Sequence, residues 1–360
     1  MRLQVLPDPS AEVVDYYPAS RAAEPQFSVP PSACPREDGV VSPLNRRSVL
    51  VLGTAAALPG LGSGTAPTRY VAELVTALHR DCQATKYREV GRALPRVGEA
   101  VGRLVADRRN RQTLALRCDV LIAQAKLATK LGDGVTAYAA AEEALRTAET
   151  TDDPIGRARA AYWLTCALLK LADPEEAERN AVAAAEVVTG LDPRSLSCRG
   201  SLVLIGSVIA ARRGDAAEAR RRLAHAARLA DRLGRDGNIG FSAFGPTNVA
   251  IHRMSVAAAL GDPDAVLSSG ERLDVDSMPP GLLGRRGQYH LESAWAHSRR
   301  GEPVSAVVHL LEAERVAPEL VRAERTNRTA RALVEDLLAQ RHPRAVPGLR
   351  GLACRTGLLA

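Results

Sequence analysis

Apolar, helix-forming segments alternate with short polar turns from about Thr68 to the end of the chain. Each turn begins with a residue that stops a helix, often glycine, and usually continues with Asp or Glu at the cap of the next helix. Proline often follows at the first helical position. The turns occur in LGDGVTAY, LADPEEAERN, RGDAAEARR, LGDPDAVL, RGEPVSAV and QRHPRAVP. This pattern predicts a succession of helices joined by tight connections.

The turns recur at nearly constant intervals. Their stop residues are Gly132, Ala172, Gly214, Gly261, Gly301 and Arg341, at intervals of 40, 42, 47, 40 and 40 residues. A fainter turn at Lys86 lies 46 residues before Gly132. A period in this range is typical of a solenoid built from helix pairs.

Small residues recur at two fixed offsets from each stop. Five residues after it stand Gly91, Ala137, Ala177, Ala219 and Ala306, and twelve after it stand Gly98, Ala144, Ala184, Ala226, Ala313 and Ala353. The offsets differ by seven residues, about two helical turns, so both positions lie on one face of the second helix. Their small volume predicts close packing of that helix on the first one. The fifth repeat departs from the pattern with Val266 and Leu273, and the last with Val346.

A Gly-Asp turn followed by alanine at these two offsets resembles the tetratricopeptide repeat. The resemblance covers about residues 68–360, or some seven helix pairs, and it implies an all-α, tetratricopeptide-like helical-hairpin solenoid. The repeats are longer than the usual length of about 34 residues. The helices, or the connections between them, are therefore expected to be longer than in that family.

Residues 1–45 are rich in proline and sustain no apolar periodicity, which predicts a disordered leader. The next stretch, residues 46–66, begins with Arg46 and Arg47 and continues with an apolar run of about ten residues. The favoured interpretation is an apolar helix and linker that cap the solenoid, because the run is too short to span a bilayer and lacks a good cleavage site. A twin-arginine export signal is the alternative to a cytoplasmic location. Residues 67–360 form the predicted repeat domain.

The composition fits a helical, non-enzymatic protein. Aromatic residues make up only 3% of the chain, and the net charge of +7 is carried almost wholly by arginines dispersed among acidic residues. Direct binding to nucleic acid is therefore doubtful. The chain contains no glycine-rich nucleotide loop, HExxH or GxSxG motif, and its closest two cysteines, Cys166 and Cys198, are 32 residues apart. No catalytic residue, metal site or cofactor is predicted.

The concave side of such a solenoid is a groove for an extended peptide or another partner, and the first helices of the pairs line it. The most unusual stretch, residues 233–262, places four glycines and two phenylalanines before a helix predicted to start near Pro246. Asn248 and His252 are four residues apart and share a helix face. An Asn amide can donate to a peptide backbone and accept from it, so both residues are candidates for the groove. The alternative is that Asn248 pins the preceding loop. Further candidates on first helices are Tyr289, His290, Glu292 and Gln124.

Three segments carry a closer resemblance. FGPTNVAIHRMSVAAALGD, LLEAERVAPELVR and LRGLACRTGL look like the sensor half of the XRE-type helix-turn-helix transcriptional regulators of actinobacteria, the high-GC Gram-positive bacteria. The resemblance spans most of residues 46–360. It implies a cytoplasmic regulator whose repeats sense a peptide or a small molecule and mediate self-association, for which a homodimer is the simplest form.

In that family the repeats follow an N-terminal DNA-binding domain, whereas residues 1–45 are too short and too rich in proline for one. The sequence therefore predicts a non-enzymatic regulatory protein whose groove binds a peptide, a small ligand or a protein partner, with no membrane span. Two alternatives stay open. One is an intact DNA-binding transcriptional regulator, and the other is a binding protein exported through the twin-arginine signal.

Overall fold

The computed structural model describes residues 68–323, 328–340 and 346–359, and these fold into fifteen α-helices and no strand. The helices are α1 (Thr68–Gln83), α2 (Tyr87–Asp107), α3 (Arg111–Lys130), α4 (Gly134–Glu149), α5 (Pro154–Lys170), α6 (Pro174–Val187), α7 (Pro193–Arg212), α8 (Ala216–Leu233), α9 (Pro246–Ala259), α10 (Pro263–Gly270), α11 (Leu283–Arg299), α12 (Pro303–Val316), α13 (Pro318–Arg322), α14 (Arg328–Leu338) and α15 (Leu349–Arg355). Neighbours pack in pairs from α1/α2 to α11/α12, and α14 packs on α15. The predicted all-α solenoid of about seven helix pairs is confirmed.

The turns inside these pairs have the geometry that the sequence predicts. The stop residues Gly132, Gly214, Gly261 and Gly301 have a positive φ between 72° and 80°, a conformation that costs most other residues about 1 kcal/mol or more. Ala172 adopts it as well, with a φ of 59°. In four of these five turns the next residue is an aspartate whose side chain accepts a hydrogen bond of 2.9–3.0 Å from the backbone N–H three residues later. Each turn therefore ends one helix and starts the next within a few residues.

Most of the alanines at the two predicted offsets are buried inside the solenoid. Full burial, with 0% exposure, is found at Ala137, Ala144, Ala177, Ala219, Ala226, Ala306 and Ala313, whereas Ala184 is half-buried. A methyl group at these positions lets two helix backbones approach closely. The fifth pair departs from the pattern because α10 has only eight residues and is followed by one turn of 3-10 helix at Val275–Ser277. Leu273 therefore lies beyond α10 instead of on its packing face.

A long loop, residues 234–245, explains the widest of the predicted intervals. It precedes α9, which begins at Pro246 as the sequence predicts, and it contains a turn of 3-10 helix at Ile239–Phe241. The loop shares its length and its 3-10 turn with the connection between α10 and α11, residues 271–282. Its length lets it reach α1, which belongs to the first helix pair.

The solenoid curls far enough for its first helix pair to contact residues near its end. Helix α1 packs against α11, and a Cβ placed at Gly284 would lie 3.3 Å from the side chain of Thr85. The backbone N–H of Arg88 donates to the carboxylate of Glu319 in α13 at 3.0 Å, across 231 positions of sequence. These contacts close the concave side into a central cavity.

One described helix, α7, is long and apolar enough to cross a bilayer, yet 89% of its most apolar stretch is buried among neighbouring helices. It packs on α6, α8 and α9, as the core helix of a solenoid does. The predicted leader (residues 1–45), the segment 46–66 and the turn at Arg341 lie outside the described residues. The predicted domain boundaries therefore stay predictions.

Candidate functional site

The concave surface encloses a cavity of about 270 Å³. Its wall is formed mainly by the first helices of the pairs, α3, α5, α7, α9 and α11, as is expected of a helical-hairpin solenoid. The end of α1, the start of α2, residues 240–243 of the long loop, and side chains from α13 and α14 complete the wall. Because a helix presents every third or fourth residue to one side, each first helix contributes a row of side chains, such as Arg159, Cys166 and Lys170 on α5.

The cavity wall is strongly basic. Seven cationic side chains line it, namely Lys126 and Lys130 on α3, Arg159 and Lys170 on α5, Arg212 on α7, Arg285 on α11 and Arg328 on α14. The described lining residues include no Asp and no Glu. Arg159 pairs with Asp119 at 2.7 Å, but Asp119 does not itself line the cavity. Three of the four lysines of the whole chain therefore meet in one place.

A buried histidine holds Lys126 in one orientation. The ring of His79 lies between the backbone carbonyl of Asp119, 3.0 Å from Nε2, and the ammonium of Lys126, 3.3 Å from Nδ1. A carbonyl oxygen only accepts, so these partners assign the proton to Nε2, and Nδ1 accepts a hydrogen bond from Lys126. Burial and the nearby cations lower the pKa of His79 well below its ordinary value. The ring is therefore neutral, as this arrangement requires.

Aromatic rings cover another side of the same ammonium group. Nζ of Lys126 lies 5.2 Å from the ring centre of Trp163 and 5.9 Å from that of Phe241, within the range of cation–π attraction. Phe241 in turn stacks on His79, with the ring centres 4.4 Å apart. The cavity thus combines positive charge with flat apolar surfaces.

Crowding among the cations alters their protonation. Burial lowers the pKa of Lys126 to about 8. The pKa of Lys130 is also lowered to about 8, first by removal from bulk water and then by repulsion from Arg285. Lys130 lines the cavity and is exposed to solvent there. Both lysines are cationic at neutral pH, and an anion beside them would raise both pKa values.

Three cysteines, Cys82, Cys166 and Cys198, also line the cavity as free thiols. Burial raises the pKa of Cys82 and Cys166 to about 11 and that of Cys198 to about 12, so all three are protonated at neutral pH. In the part of the chain that the structure describes, no three His, Cys, Asp or Glu side chains converge as a metal site would need.

The long loop is anchored so that Phe241 is presented to the cavity. Phe244 packs against Gly200 of α7, where a Cβ would lie 2.1 Å from the phenyl ring. Asp236 accepts hydrogen bonds from the backbone N–H and the hydroxyl of Thr247 at 3.0 and 2.5 Å. Phe241 itself has a positive φ of 61°, a conformation that is uncommon for residues other than glycine and is found where surrounding contacts hold it.

Two amide side chains join this loop to α1. Nε2 of Gln83 donates to Oδ1 of Asn238 at 2.9 Å, and Nδ2 of Asn238 donates to Oε1 of Gln83 at 2.8 Å. Gln83 also donates to the carbonyl of Phe241 at 3.0 Å. This pair, Gln83 and Asn238, is called the amide clasp below. It connects residues 155 positions apart and fastens the first helix pair over the cavity.

Among the six residues predicted for the groove, His252 lines the cavity. Its Nδ1 lies 2.9 Å from the backbone carbonyl of Asn248 and therefore donates to it. Burial lowers the pKa of His252 to about 3, which leaves the ring neutral and Nε2 an acceptor. Asn248 is 1% exposed and lies behind the wall, and its Oδ1 has no hydrogen-bond donor among the described residues.

The other predicted residues, Tyr289, His290, Glu292 and Gln124, are not among the lining residues of the described cavity. Glu292 is fully buried and accepts hydrogen bonds from Ser255 at 2.7 Å and from Gln288 at 2.6 Å, between α9 and α11. His290 contacts His309 of α12, with 3.2 Å between their Nδ1 atoms. A part for these residues in ligand binding stays a prediction.

The cavity lysines are the functional candidates that the sequence does not reveal on first inspection. Along the chain the cations are dispersed among acids, because linear position does not tell on which side of the curl a side chain points. A usable signal nevertheless exists. Lys126 and Lys130 are four residues apart on α3, a first helix whose other residues in this stretch are largely apolar. Cations at helical spacing on a first helix indicate the concave side.

No protein-family profile matches the chain, and no curated protein sequence matches it. Among solved structures, that of a Rap protein complexed with competence and sporulation factor is similar, with a TM-score of 0.55, 14% identity, and coverage of 70% of this chain and 65% of that one. The fold is a tetratricopeptide-like helical repeat. The structure of aspartyl phosphate phosphatase F from Bacillus subtilis agrees, with a TM-score of 0.51, 12% identity, and coverage of 70% of this chain and 61% of that one. The chain thus spans less than two thirds of either of these proteins, and the likeness concerns the fold alone.

Proposed function

We propose that this protein is a non-enzymatic regulatory module that senses a small ligand or a short peptide in its central cavity. The observation that carries the proposal is the closure of the solenoid around a basic, aromatic-lined cavity by contacts between distant parts of the chain. A ligand that contacts α1, α3, α5, α7 and α11 at once would favour the closed arrangement over an open one. Such a shift is how a binding event becomes a regulatory signal.

The similar Rap structure is a complex with competence and sporulation factor, and it supports the idea that this fold can hold a regulatory ligand. The resemblance to XRE-type regulators of actinobacteria supports a place in transcriptional regulation, in the cytoplasm, with a protein partner or a second copy of the chain as the recipient of the signal. Of the predicted groove residues, His252 lines this cavity and Asn248 lies behind its wall, and a part for both in ligand binding belongs to the same proposal.

The proposal is tested by measuring the melting temperature of the full chain with and without the low-molecular-mass fraction of extracts from actinobacterial cells. We expect a rise of several degrees, since a ligand at a hundred times its Kd stabilises the folded state by about 2.7 kcal/mol. Cys166→Trp fills the cavity from α5 and should abolish the rise. Ala183→Trp, on the exposed surface of α6, is the matched control and should keep it. An equal rise in both variants, or no rise in the wild-type chain, contradicts the proposal.

Location is tested separately. A reporter that is active only after export is fused behind residues 1–70, and its activity is compared with that of a fusion in which Arg46 and Arg47 are both replaced by lysine. The cytoplasmic proposal predicts an inactive reporter in both fusions. Activity that is lost in the double-lysine fusion would instead support the twin-arginine alternative.

A further inference from the structure

We propose that the central cavity binds a small organic anion, with its carboxylate or phosphate group between Lys126, Lys130 and Arg285 and its apolar part against Trp163. This inference rests on the proposed function and adds the chemical class of the ligand.

The charge of the wall is not balanced by the protein. Lys126, Lys130 and Arg285 lie close enough to repel one another, and in the described chain none of the three has a carboxylate within ion-pair distance. Like charges gathered in a partly desolvated space oppose folding, because the repulsion between them is stronger there than in bulk water. A bound anion would turn this repulsion into attraction.

The same side chains also supply hydrogen-bond donors to the cavity wall. The Lys126 ammonium has three N–H groups, and one of them is used by Nδ1 of His79. Arg285 adds a planar guanidinium whose paired N–H groups match the geometry of a carboxylate or a phosphate. Trp163 and Phe241 flank Lys126 and offer a ligand an apolar face beside the charged one. An acid that carries a ring or an alkyl chain fits this combination.

The volume limits the size of the ligand. A cavity of about 270 Å³ is slightly smaller than the usual small-molecule site, whose volume is roughly 300–1,000 Å³. A nucleic acid or a folded domain is too large to enter it. A free organic acid and the carboxylate end of a short peptide have the same chemistry in this space, so the test must separate them.

The experiment uses two fluorescent probes of nearly equal shape on the full chain. One is 1-anilinonaphthalene-8-sulfonate, an aromatic anion, and the other is N-phenyl-1-naphthylamine, which lacks the sulfonate. We expect the anion to bind one site per chain about tenfold more tightly than the neutral probe, because the neutral probe lacks one charge-assisted interaction with the cavity cations. Equal affinity of the two probes would overturn the inference.

Matched variants then locate the site. Lys130→Gln/Arg285→Gln removes two cavity cations and should weaken anion binding at least about tenfold. Arg220→Gln/Arg228→Gln removes two exposed cations from α8 and should leave it unchanged. Without a ligand, the cavity variant should melt at the same temperature as the wild type or higher, since it relieves repulsion. Loss of binding to the same extent in both variants, or a lower melting temperature of the cavity variant alone, contradicts the inference.

Competition separates the two sources of the anion. Hydrocinnamate and N-acetyl-Ala-Ala-Phe are added against the bound probe, each beside its uncharged amide. Displacement by either acid, but not by its amide, supports the inference and names the source. Displacement by acid and amide alike overturns it.

If both fluorescent probes bind equally well and Cys166→Trp blocks both, the cavity is a ligand site of another chemistry and the proposed function survives. If neither probe depends on residue 166, both proposals fail.

Discussion

A lysine in this cavity differs from a lysine on an outer surface in the free energy of its charged form. Lys86 lies on the α1–α2 turn, where Asp81 and Glu89 approach its ammonium at 3.7 and 3.8 Å. Lys126 has a neutral imidazole and two aromatic rings as neighbours instead. Its charge is therefore stabilised by hydrogen bonding and cation–π attraction and by no carboxylate in the described structure, which leaves it sensitive to pH.

The affinity for an anion should fall as the pH rises through the lowered pKa of these lysines. Lys126 and Lys130 have pKa values of about 8, so they carry their charge below that pH and lose it above. Binding of 1-anilinonaphthalene-8-sulfonate should therefore weaken between about pH 7 and about pH 9.5, far below the ordinary lysine pKa near 10.4. Fluorescence titrations at several pH values measure this change.

The histidines and the free thiols of the cavity titrate outside this range. His79 and His252 are already neutral at pH 7, and the three cavity thiols have pKa values raised to about 11 or 12. Lys130→Gln should make the decline smaller, because one of the two titrating charges is gone. An affinity that stays constant to about pH 9.5 would contradict the assignment of the anion to these lysines.

At the scale of a helix, one glycine decides how the long loop is seated on α7. Alanine is normally favoured over glycine inside a helix by about 1 kcal/mol. At Gly200, however, a methyl group would lie 2.1 Å from the ring of Phe244. The ring would have to move, and overpacking of this kind costs roughly 1–3 kcal/mol.

Gly200→Ala should therefore lower the free energy of unfolding, despite its better helix propensity. It should also weaken anion binding, since the displaced Phe244 belongs to the loop that presents Phe241 to Lys126. Gly102→Ala on α2 is the matched control, because nothing lies within 4 Å of a Cβ at that position, and it should raise the free energy of unfolding by about 0.5–1 kcal/mol. Chemical denaturation of both variants measures the difference. A stabilised Gly200→Ala variant would show that the ring is free to shift.

Features of the helices that depend on near neighbours in sequence could be predicted, and features that depend on distant contacts could not. Each turn depends only on a stop residue and a cap within a few positions of each other, as at Gly132, Gly214, Gly261 and Gly301. The repeat period can therefore be predicted from the sequence. The short α10 starts with the same Asp-Pro pattern as its counterparts. It ends after eight residues at Gly270, a weak helix former, whereas the repeat pattern predicts a longer second helix.

The whole molecule determines the site, because the cavity exists only where distant parts of the chain meet. The side of each first helix that faces inward could be predicted from the repeat, but the extent of the curl could not. The curl brings Gln83 to Asn238 and α1 to α11, and it thereby encloses Lys126 and Lys130. Candidates chosen from the sequence alone, such as Glu292 and His290, occupy first helices yet lie outside the cavity lining.

The amide clasp should hold the molecule closed. Gln83→Ala removes two hydrogen bonds from α1 to the loop and leaves the amide of Asn238 without the partner that it has in the structure. The loss of such a half-buried pair costs about 1 kcal/mol, and that cost falls on the closed arrangement alone. We therefore expect a larger radius of gyration in solution scattering and faster hydrogen exchange of the backbone amides in residues 238–243.

Local destabilisation of α1 would also speed exchange, so a control must separate opening from fraying. Gln112→Ala makes the same chemical change at an exposed position of α3 and should leave both measurements unchanged. In Gln83→Ala, exchange in α5 and α6 should stay slow, because those helices keep their neighbours on both sides. A saturating anion should reverse the expansion, since it contacts helices from both ends of the curl and its binding energy opposes their separation. If the radius of gyration of Gln83→Ala equals that of the wild-type chain without ligand, the contacts of the first helix pair with α11 and α13 suffice to keep the molecule closed, and the amide clasp is not its fastening.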